Sequence, residues 1–392
     1  MGPARSDKGQ WVRGWGLAAE EGVAAEAKAV KAEGGVAVEV LAAAVGAAGR
    51  KDKISGRQTL QPKSDLVENQ DALLAVRLAI ASGKGGTGKT TIATNLAMRL
   101  AHHGQEVVYV DCDVEAPNGH LFLKPDEVRE YPVNRLVPQV SQERCQHCGD
   151  CGRICRYNAI LCLAERTLIY DELCHSCGGC VRVCPTRAIT EIPHFVGVVR
   201  IGIAGKVQFV SGTLKVSEAS SPPVIRAALQ AVPPSDWVIL DAPPGAACSV
   251  VETLRDCDYV LLVSEPTPFG LHDLQIALEL AKTLAVPCGV VVNRAYSSMA
   301  ELRELCGQAQ VPVLGEIPDD LAIARAYSRG QRIIDVVPGL HRTFDHLLLR
   351  LLEELQPNVL PFRTRQDLEQ AIYANDRMEA TNLNEPGRLM AT

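Results

Sequence analysis

The sequence predicts an α/β chain, a doubly wound and mostly parallel sheet interrupted by an inserted α+β segment of different character. Three observations carry this expectation. Short apolar runs alternate with helix-like segments from Leu78 to Leu355, the pattern of strands buried on both faces of a parallel sheet. A glycine-rich loop joins the first such strand to the first helix. Between residues 140 and 193 the alternation stops and cysteines crowd in.

Composition narrows the function classes. A chain of 392 residues suggests about two domains, and 47 % apolar residues suffice for a sizeable core. Net charge is −6 with no long basic run, so neither nucleic acid nor an anionic membrane surface is expected as a partner. Fourteen cysteines without a secretory signal favour metal or redox chemistry in a reducing compartment over disulfides. The most apolar N-terminal run, Gly34 to Gly49, is broken by Glu39 and is shorter than the roughly 20 residues a spanning helix needs. A soluble, cytoplasmic protein is expected.

Residues 1–75 are Ala-rich and then polar, and read as a poorly ordered extension. Strand one is expected at Leu78 to Ser82. The loop Gly83, Lys84, Gly85, Gly86, Thr87, Gly88, Lys89, Thr90, Thr91 follows and fills the pattern G-x4-G-K-(S/T). Its glycines let backbone N–H groups turn in on a polyphosphate. Lys89 reaches the outer phosphates, the Thr90 hydroxyl is placed for Mg²⁺, and the helix N-terminus adds a positive field. That helix is expected over Thr91 to His102, ended by His103-Gly104. The next strand, Glu106 to Val110, delivers Asp111-Cys112-Asp113 to the carboxyl edge, where ligands bind in doubly wound sheets.

A second lysine, Lys84, distinguishes the loop. Lys-Gly-Gly-Thr-Gly-Lys-Thr resembles the deviant Walker A loop of the MinD, ParA, Mrp and nitrogenase iron protein superfamily of P-loop ATPases. The resemblance implies ATP with Mg²⁺, slow hydrolysis, and a homodimer formed on ATP binding in which Lys84 contacts the nucleotide of the opposite subunit. On the same resemblance Asp113 orients or activates the attacking water and Asp111 holds a Mg²⁺-bound water; the alternative is a pair of acids capping the next turn. A strand over Trp237 to Leu240 ends in Asp241-Ala-Pro-Pro-Gly245. This resembles the Walker B strand and second switch of the superfamily, and gives Asp241 to Mg²⁺. Asn293-Arg294 stands where relatives contact adenine, and without an Asn-Lys-x-Asp signature ATP is expected over GTP. Cys248 matches the offset of a dimer-bridging cluster cysteine in the nitrogenase iron protein, although a packed thiol is the preferred reading. Such proteins begin just before strand one, so Val76 is an alternative start.

The cysteines form two sets. Cys145, Cys148, Cys151 and Cys155 have the spacing C-x2-C-x2-C-x3-C, and Cys174, Cys177, Cys180 and Cys184 repeat it at a 29-residue offset. This resembles a bacterial two-cluster ferredoxin unit over residues 140–192. The fourth cysteine of each run there ligates the other cluster. One [4Fe–4S] cluster would take Cys145, Cys148, Cys151 and Cys184, and the other Cys174, Cys177, Cys180 and Cys155. Zinc stands second, since it gives no reason for the doubled C-x3-C. Arg156 replaces the proline usual after the fourth cysteine. His147 and His175 read as exposed loop side chains and Cys162 as a small buried hydrophobe.

Strand-like pieces at Phe195 to Ile203, Val207 to Val210 and Thr213 to Val216 would seat the insert on the core. A helix over Pro222 to Ala231 follows. Strands at Tyr259 to Val263, Cys288 to Val292 and Val311 to Ile317 close the sheet, with helices at about Leu271 to Leu284, Ser298 to Ala309 and Leu321 to Tyr327. The amphipathic helix Phe344 to Leu355 is expected to pack on the core, and residues 356–392 read as a polar tail. The combination implies an ATPase domain over residues 76–355 that couples ATP to electron transfer with an unidentified redox partner. The alternative is an iron–sulfur cluster carrier serving apo-protein acceptors.

Overall fold

The computed structural model describes residues 75–296, 299–355 and 365–374. The extension expected over residues 1–74 lies outside them. Among the described residues nine strands form one sheet, in the order β11 (Val313–Pro318), β10 (Cys288–Ala295), β9 (Tyr259–Ser264), β1 (Val76–Ala81), β8 (Trp237–Asp241), β2 (Val107–Asp111), β7 (Val207–Leu214), β6 (Ile189–Ala204) and β3 (Asp126–Val140). Its parallel centre comprises β1, β2, β8, β9, β10 and β11. Both faces of these strands are covered by helices, so β2, β8 and β9 are buried at every residue. That double burial is why they read as unbroken apolar runs.

One face packs against helix α1 (Lys89–His102) and the C-terminal helix Leu340–Glu354 through residues such as Leu96, Leu100, Phe344 and Leu348. The other packs against Pro222–Gln230, Cys248–Leu254 and Pro268–Leu284 through Ile225, Val250 and Leu274. An ion-pair cluster joins α1 to the C-terminal helix: Arg99 Nη2 lies 2.6 Å from Asp345 Oδ2, and His103 Nε2 2.8 Å from Asp345 Oδ1.

On the far side of β2 the sheet changes character. β7 (Val207–Leu214) still runs parallel to β2, but β6 (Ile189–Ala204) and β3 (Asp126–Val140) add antiparallel. The three short pieces expected here are in fact two long strands. Gly202 and Gly212 stay in the ladder because other chain segments press on the space a side chain would fill. β3 was not expected: its run DEVREYPVNRLVPQV is charged and mostly exposed, and among the described residues β6 is its one partner in the sheet.

β3 and β6 form an arm whose tip carries a lobe over residues 141–188, with helices Asp150–Ile154 and Gly179–Val183 and a hairpin, β4 (Ile160–Cys162) and β5 (Thr167–Ile169). The core beneath the lobe is small: Cys151, Ile160 and Cys180 of the lobe with Ile189 at the start of β6. Within the expected polar tail, residues 365–374 are helical, with Leu368 and Ile372 fully buried in the sheet's core. No helix among the described residues is long and apolar enough to cross a membrane.

Candidate functional site

The carboxyl ends of β1, β2, β8 and β10 converge on a cleft of about 390 Å³ lined by Gly85, Gly86, Gly88, Lys89, Thr90, Thr91, Asp113 and Asn293. The loop enters α1 through Gly88 at φ 98°, in the left-handed region. A side chain there would be strained and would collide with the Asn293 amide. No side chain caps the first turn of α1, so no cap claims the helix's leading amides, as anion binding requires. Lys89 Nζ donates to Ser82 Oγ at 3.0 Å and to the Lys84 carbonyl at 3.3 Å. Burial lowers its pKa while Asp241 and Asp113 hold it up.

Beneath the loop lie two acids on neighbouring strands, Asp111 and Asp241, paired in register. Asp111 accepts from the backbone amides of Asn118, Gly119 and Asp113 at 3.0, 2.9 and 3.2 Å. Both its oxygens are thus engaged by the turn that follows, which is the capping arrangement. Asp241 differs. Oδ2 accepts from the Tyr109 hydroxyl at 2.8 Å, and Oδ1 is buried with no partner among the described residues. Burial pushes its carboxyl up to about 6, against the opposing hydroxyls of Thr90 and Tyr109 and the charge of Lys89. An unpartnered buried carboxylate oxygen beside Thr90 is a donor set suited to Mg²⁺. Asp113 lines the cleft itself, and burial raises its pKa while Lys89 opposes.

Lys84 is not among the residues lining the cleft, and its Nζ lies 3.8 Å from Glu265 and 3.9 Å from Asp273. Asn293 donates to the Thr87 carbonyl at 2.7 Å and braces the loop. The Thr87 hydroxyl is buried with no partner among the described residues. Gly83 has the Asp273 backbone where a side chain would stand. Gly245, at the end of Asp241-Ala-Pro-Pro-Gly245, donates its amide to the Ser82 carbonyl at 3.1 Å. Cys248 is exposed at the start of helix Cys248–Leu254 rather than packed.

Tyr109, Glu265 and Asp273 were not singled out from sequence. Tyr109 did leave a signal: a phenol inside a fully buried run must find a partner for its hydroxyl.

In the lobe all eight motif cysteines are free thiols. Cys145, Cys148, Cys151 and Cys184 line one recess, and Cys155, Cys174, Cys177 and Cys180 line another. The fourth cysteine of each run thus stands with the other run's three. Backbone amides donate to three of these sulfurs: Ala159 to Cys155, Ser176 to Cys174 and Ala188 to Cys184, at 3.4, 3.4 and 3.2 Å. Such N–H···S bonds suit thiolate ligands. Burial raises the Cys151 and Cys174 thiols and pushes Cys180 up to about 11. Hydrogen bonds from the Thr186 hydroxyl and the Ala188 amide outweigh burial at Cys184, whose pKa is lowered. Among the described residues no three His, Cys, Asp or Glu side chains converge as they would around one ion. A four-iron cluster takes one thiolate per iron, so its ligands surround a body instead of meeting at a point.

Two neighbours, Cys162 and His147, differ from expectation, and the exposed loop residue His175 agrees with it. Cys162 is no buried hydrophobe: it is half-buried, lines the first recess, and shares the Thr167 hydroxyl with Cys145 at 3.3 and 3.4 Å. His147 Nδ1 approaches Cys145 at 3.7 Å. The exposed His175 stacks on Tyr157 with centroids 3.6 Å apart.

The family model described as CobQ/CobB/MinD/ParA nucleotide binding domain matches residues 78–333. An uncharacterised protein of Methanocaldococcus jannaschii is 31 % identical over 225 residues, 56 % of this chain and 79 % of that one. An iron–sulfur cluster carrier protein of the same organism is 21 % identical over 333 residues, 79 % of this chain and 97 % of the carrier. The solved cell division ATPase MinD of Pyrococcus furiosus is 22 % identical, covers 71 % of this chain and 99 % of its own, and superposes with a TM-score of 0.45. A match that spans well over half the chain, and includes the phosphate loop and both acidic strand ends, places this protein in the CobQ/CobB/MinD/ParA nucleotide-binding family.

Proposed function

We propose that this protein is a slow, dimerising ATPase that couples ATP binding and hydrolysis to electron transfer through two [4Fe–4S] clusters. The observation that carries the reading is the grouping of the eight thiols into two closed sets of four, on an arm of the same sheet that bears the phosphate loop. Cys145, Cys148, Cys151 and Cys184 would hold one cluster in a ferredoxin-like lobe, and Cys174, Cys177, Cys180 and Cys155 the other. When bound, each would supply a one-electron couple whose potential depends on net charge, hydrogen bonds and solvent exposure.

At the nucleotide, Gly85, Gly86 and Gly88 would turn their amides to the phosphates and Lys89 would neutralise the outer charge. Thr90 and Asp241 are suited to Mg²⁺. Asp113 would orient the attacking water, with Asp111 holding the loop in place through its amides. Lys84 would leave Glu265 and Asp273 for the partner's nucleotide, so dimer formation exchanges two ion pairs within the chain for one between chains.

A second reading is an iron–sulfur carrier that delivers clusters to apo-proteins. It is favoured by the exposure of Cys248 and by the relative named as an iron–sulfur cluster carrier protein.

Anaerobic reconstitution followed by iron and acid-labile sulfide analysis, then incubation with an apo-ferredoxin, separates the two. The electron-transfer reading expects about eight irons per chain, retained by the protein. About four irons per dimer, passed readily to the acceptor and lost in Cys248→Ser, would establish the carrier.

A further inference from the structure

One loop touches both the nucleotide edge and the cysteine lobe. At its start the Leu214 amide donates to the Val114 carbonyl at 2.7 Å, and Val114 is the residue after Asp113. The next amide, Lys215, donates to Val196 on β6 at 2.8 Å. The chain then turns through Ser217, in the left-handed region at φ 70°, and buries the carboxylate of Glu218.

Glu218 Oε1 meets Arg135 Nη2 at 3.2 Å, with only 3 % of either side chain exposed. Arg135 lies on β3, and its register partner on β6 is His194. His194 stands 3.5 Å from Glu218 Oε2 and 3.7 Å from Asp171. Two further guanidinium bonds go to the lobe's backbone, Nη1 to the Cys174 carbonyl at 2.8 Å and Nη2 to the Asp171 carbonyl at 2.7 Å, while Nε is buried with no partner among the described residues. One buried cation thus holds the short turn Asp171–Leu173 that delivers Cys174, and is itself held by the loop hydrogen-bonded to Val114. The other thiol set has only an exposed counterpart: Arg153, 70 % exposed, donates to the Cys148 carbonyl at 3.2 Å and pairs with Asp150 in its own helix, and among the described residues no buried carboxylate ties it to the nucleotide edge.

Building on the reading above, we propose that Arg135 and Glu218 are positioning residues that relay the state of the Asp113–Val114 loop to the Cys174, Cys177, Cys180 and Cys155 cluster. Nucleotide would then shift the potential of that cluster and leave the other little changed. Two physical facts make the relay one-sided. A buried ion pair that loses alignment leaves an uncompensated charge, so the pair moves as a unit. A buried cation also favours the more negative, reduced cluster, so any change in its distance or pairing moves the potential.

The test is an anaerobic redox titration of the reconstituted full chain, with Mg-ADP and with a non-hydrolysable Mg-ATP analogue, in wild type, Arg135→Gln, Arg135→Lys and Glu218→Gln. The cluster signals are assigned by their loss in Cys177→Ser or Cys148→Ser. Arg135→Gln should lower the potential of the Cys177 cluster by about 59 mV, a tenfold change in its one-electron equilibrium. Glu218→Gln should raise it, and either change should abolish its nucleotide dependence. Arg135→Lys should restore the resting potential without the nucleotide response, since one ammonium cannot span both carbonyls and Glu218. A merely structural role would not give opposite signs for the two partners. Hydrogen exchange on the same chain adds a readout free of redox chemistry: the nucleotide analogue should slow amides 171–176 in wild type and leave them unchanged in Glu218→Gln. Equal nucleotide shifts at both clusters, or amides 171–176 indifferent to nucleotide, would overturn the relay while leaving the electron-transfer reading intact. A chain that takes up no clusters yet transmits nucleotide to 171–176 would sink that reading and keep the relay.

Discussion

The nucleotide edge and the cysteine lobe are built by opposite means. At the edge β2 and β8 are buried at every residue, and the polar groups are already in place: Lys89 on Ser82, Asp111 on three amides, Asp241 on Tyr109. The core beneath the lobe has only four buried residues, and two of them are cysteines. Hydrophobic burial preorganises the first region, whereas the second has little beyond its thiols to order it. On the proposed reading, such a fold would separate a preorganised nucleotide edge from a lobe whose order depends on the clusters it binds.

The largest effect should come from breaking the lobe's dependence on metal. Removing iron with a chelator, or substituting Cys177→Ser, should bring amide exchange in residues 141–188 toward that of an unfolded chain while the central strands keep full protection. Equal protection of the lobe with and without iron would show that its small core suffices.

Next in size is the division between the two lysines. Lys89→Ala removes charge-assisted contacts worth about 1.5–3 kcal/mol each, so calorimetry should show ATP affinity falling by about tenfold to a hundredfold or more. Lys84→Ala should leave affinity within a few-fold and abolish dimerisation and hydrolysis, read by sedimentation and phosphate release. Unchanged hydrolysis in Lys84→Ala would remove the case for a role across the dimer.

Acidity sharpens the contrast further. Mg²⁺ at Asp241 requires the carboxylate, and the folded-state pKa is raised to about 6. A group raised in this way resists ionising, so Mg-dependent nucleotide binding should hold above pH 6 and weaken by up to about tenfold per pH unit below it. Asp111, pushed up by burial and by Asp241, shares the titration. A flat affinity from pH 5 to 8 would exclude Asp241 from the metal.

Tyr109→Phe tests the same carboxylate from the other side. It removes the hydroxyl from Asp241 Oδ2 and should cost about 1–3 kcal/mol of stability by denaturant titration. The midpoint of the acidity effect should move upward with it. The smallest effect concerns Asp345, whose pKa is lowered because the hydrogen bonds and charges of His103 and Arg99 outweigh its burial. Its contribution is present above the ordinary carboxylate pKa and is lost as pH falls through the depressed value. Thermal melts should show this acid-side loss in wild type and not in Asp345→Asn.

The two regions also differed in how far they could be read from sequence. Central strands such as Val107–Asp111 were legible because burial on both faces leaves a continuous apolar run. The loop was legible because lysine and threonine stand at fixed offsets from its glycines, and the cysteine grouping because spacing repeats. β3 was not, since an exposed charged strand has no periodicity and exists only by pairing with β6 some sixty residues later. The helix over 365–374 escaped because two buried side chains, Leu368 and Ile372, are too few to mark a period. The partners of Lys84, Asp241 and Arg135 lie far along the chain in sequence, and nothing local announces them. The sites could be read because their chemistry is local, while the ties that set their properties are long-range.

The central claim is that nucleotide state and cluster potential are linked, and it is tested most directly by anaerobic redox titration with electron paramagnetic resonance of the reconstituted protein. The comparison is between Mg-ADP and a non-hydrolysable Mg-ATP analogue. The account predicts that at least one cluster shifts by about 59 mV or more, a tenfold change in its one-electron equilibrium. Potentials identical in both nucleotide states would contradict it.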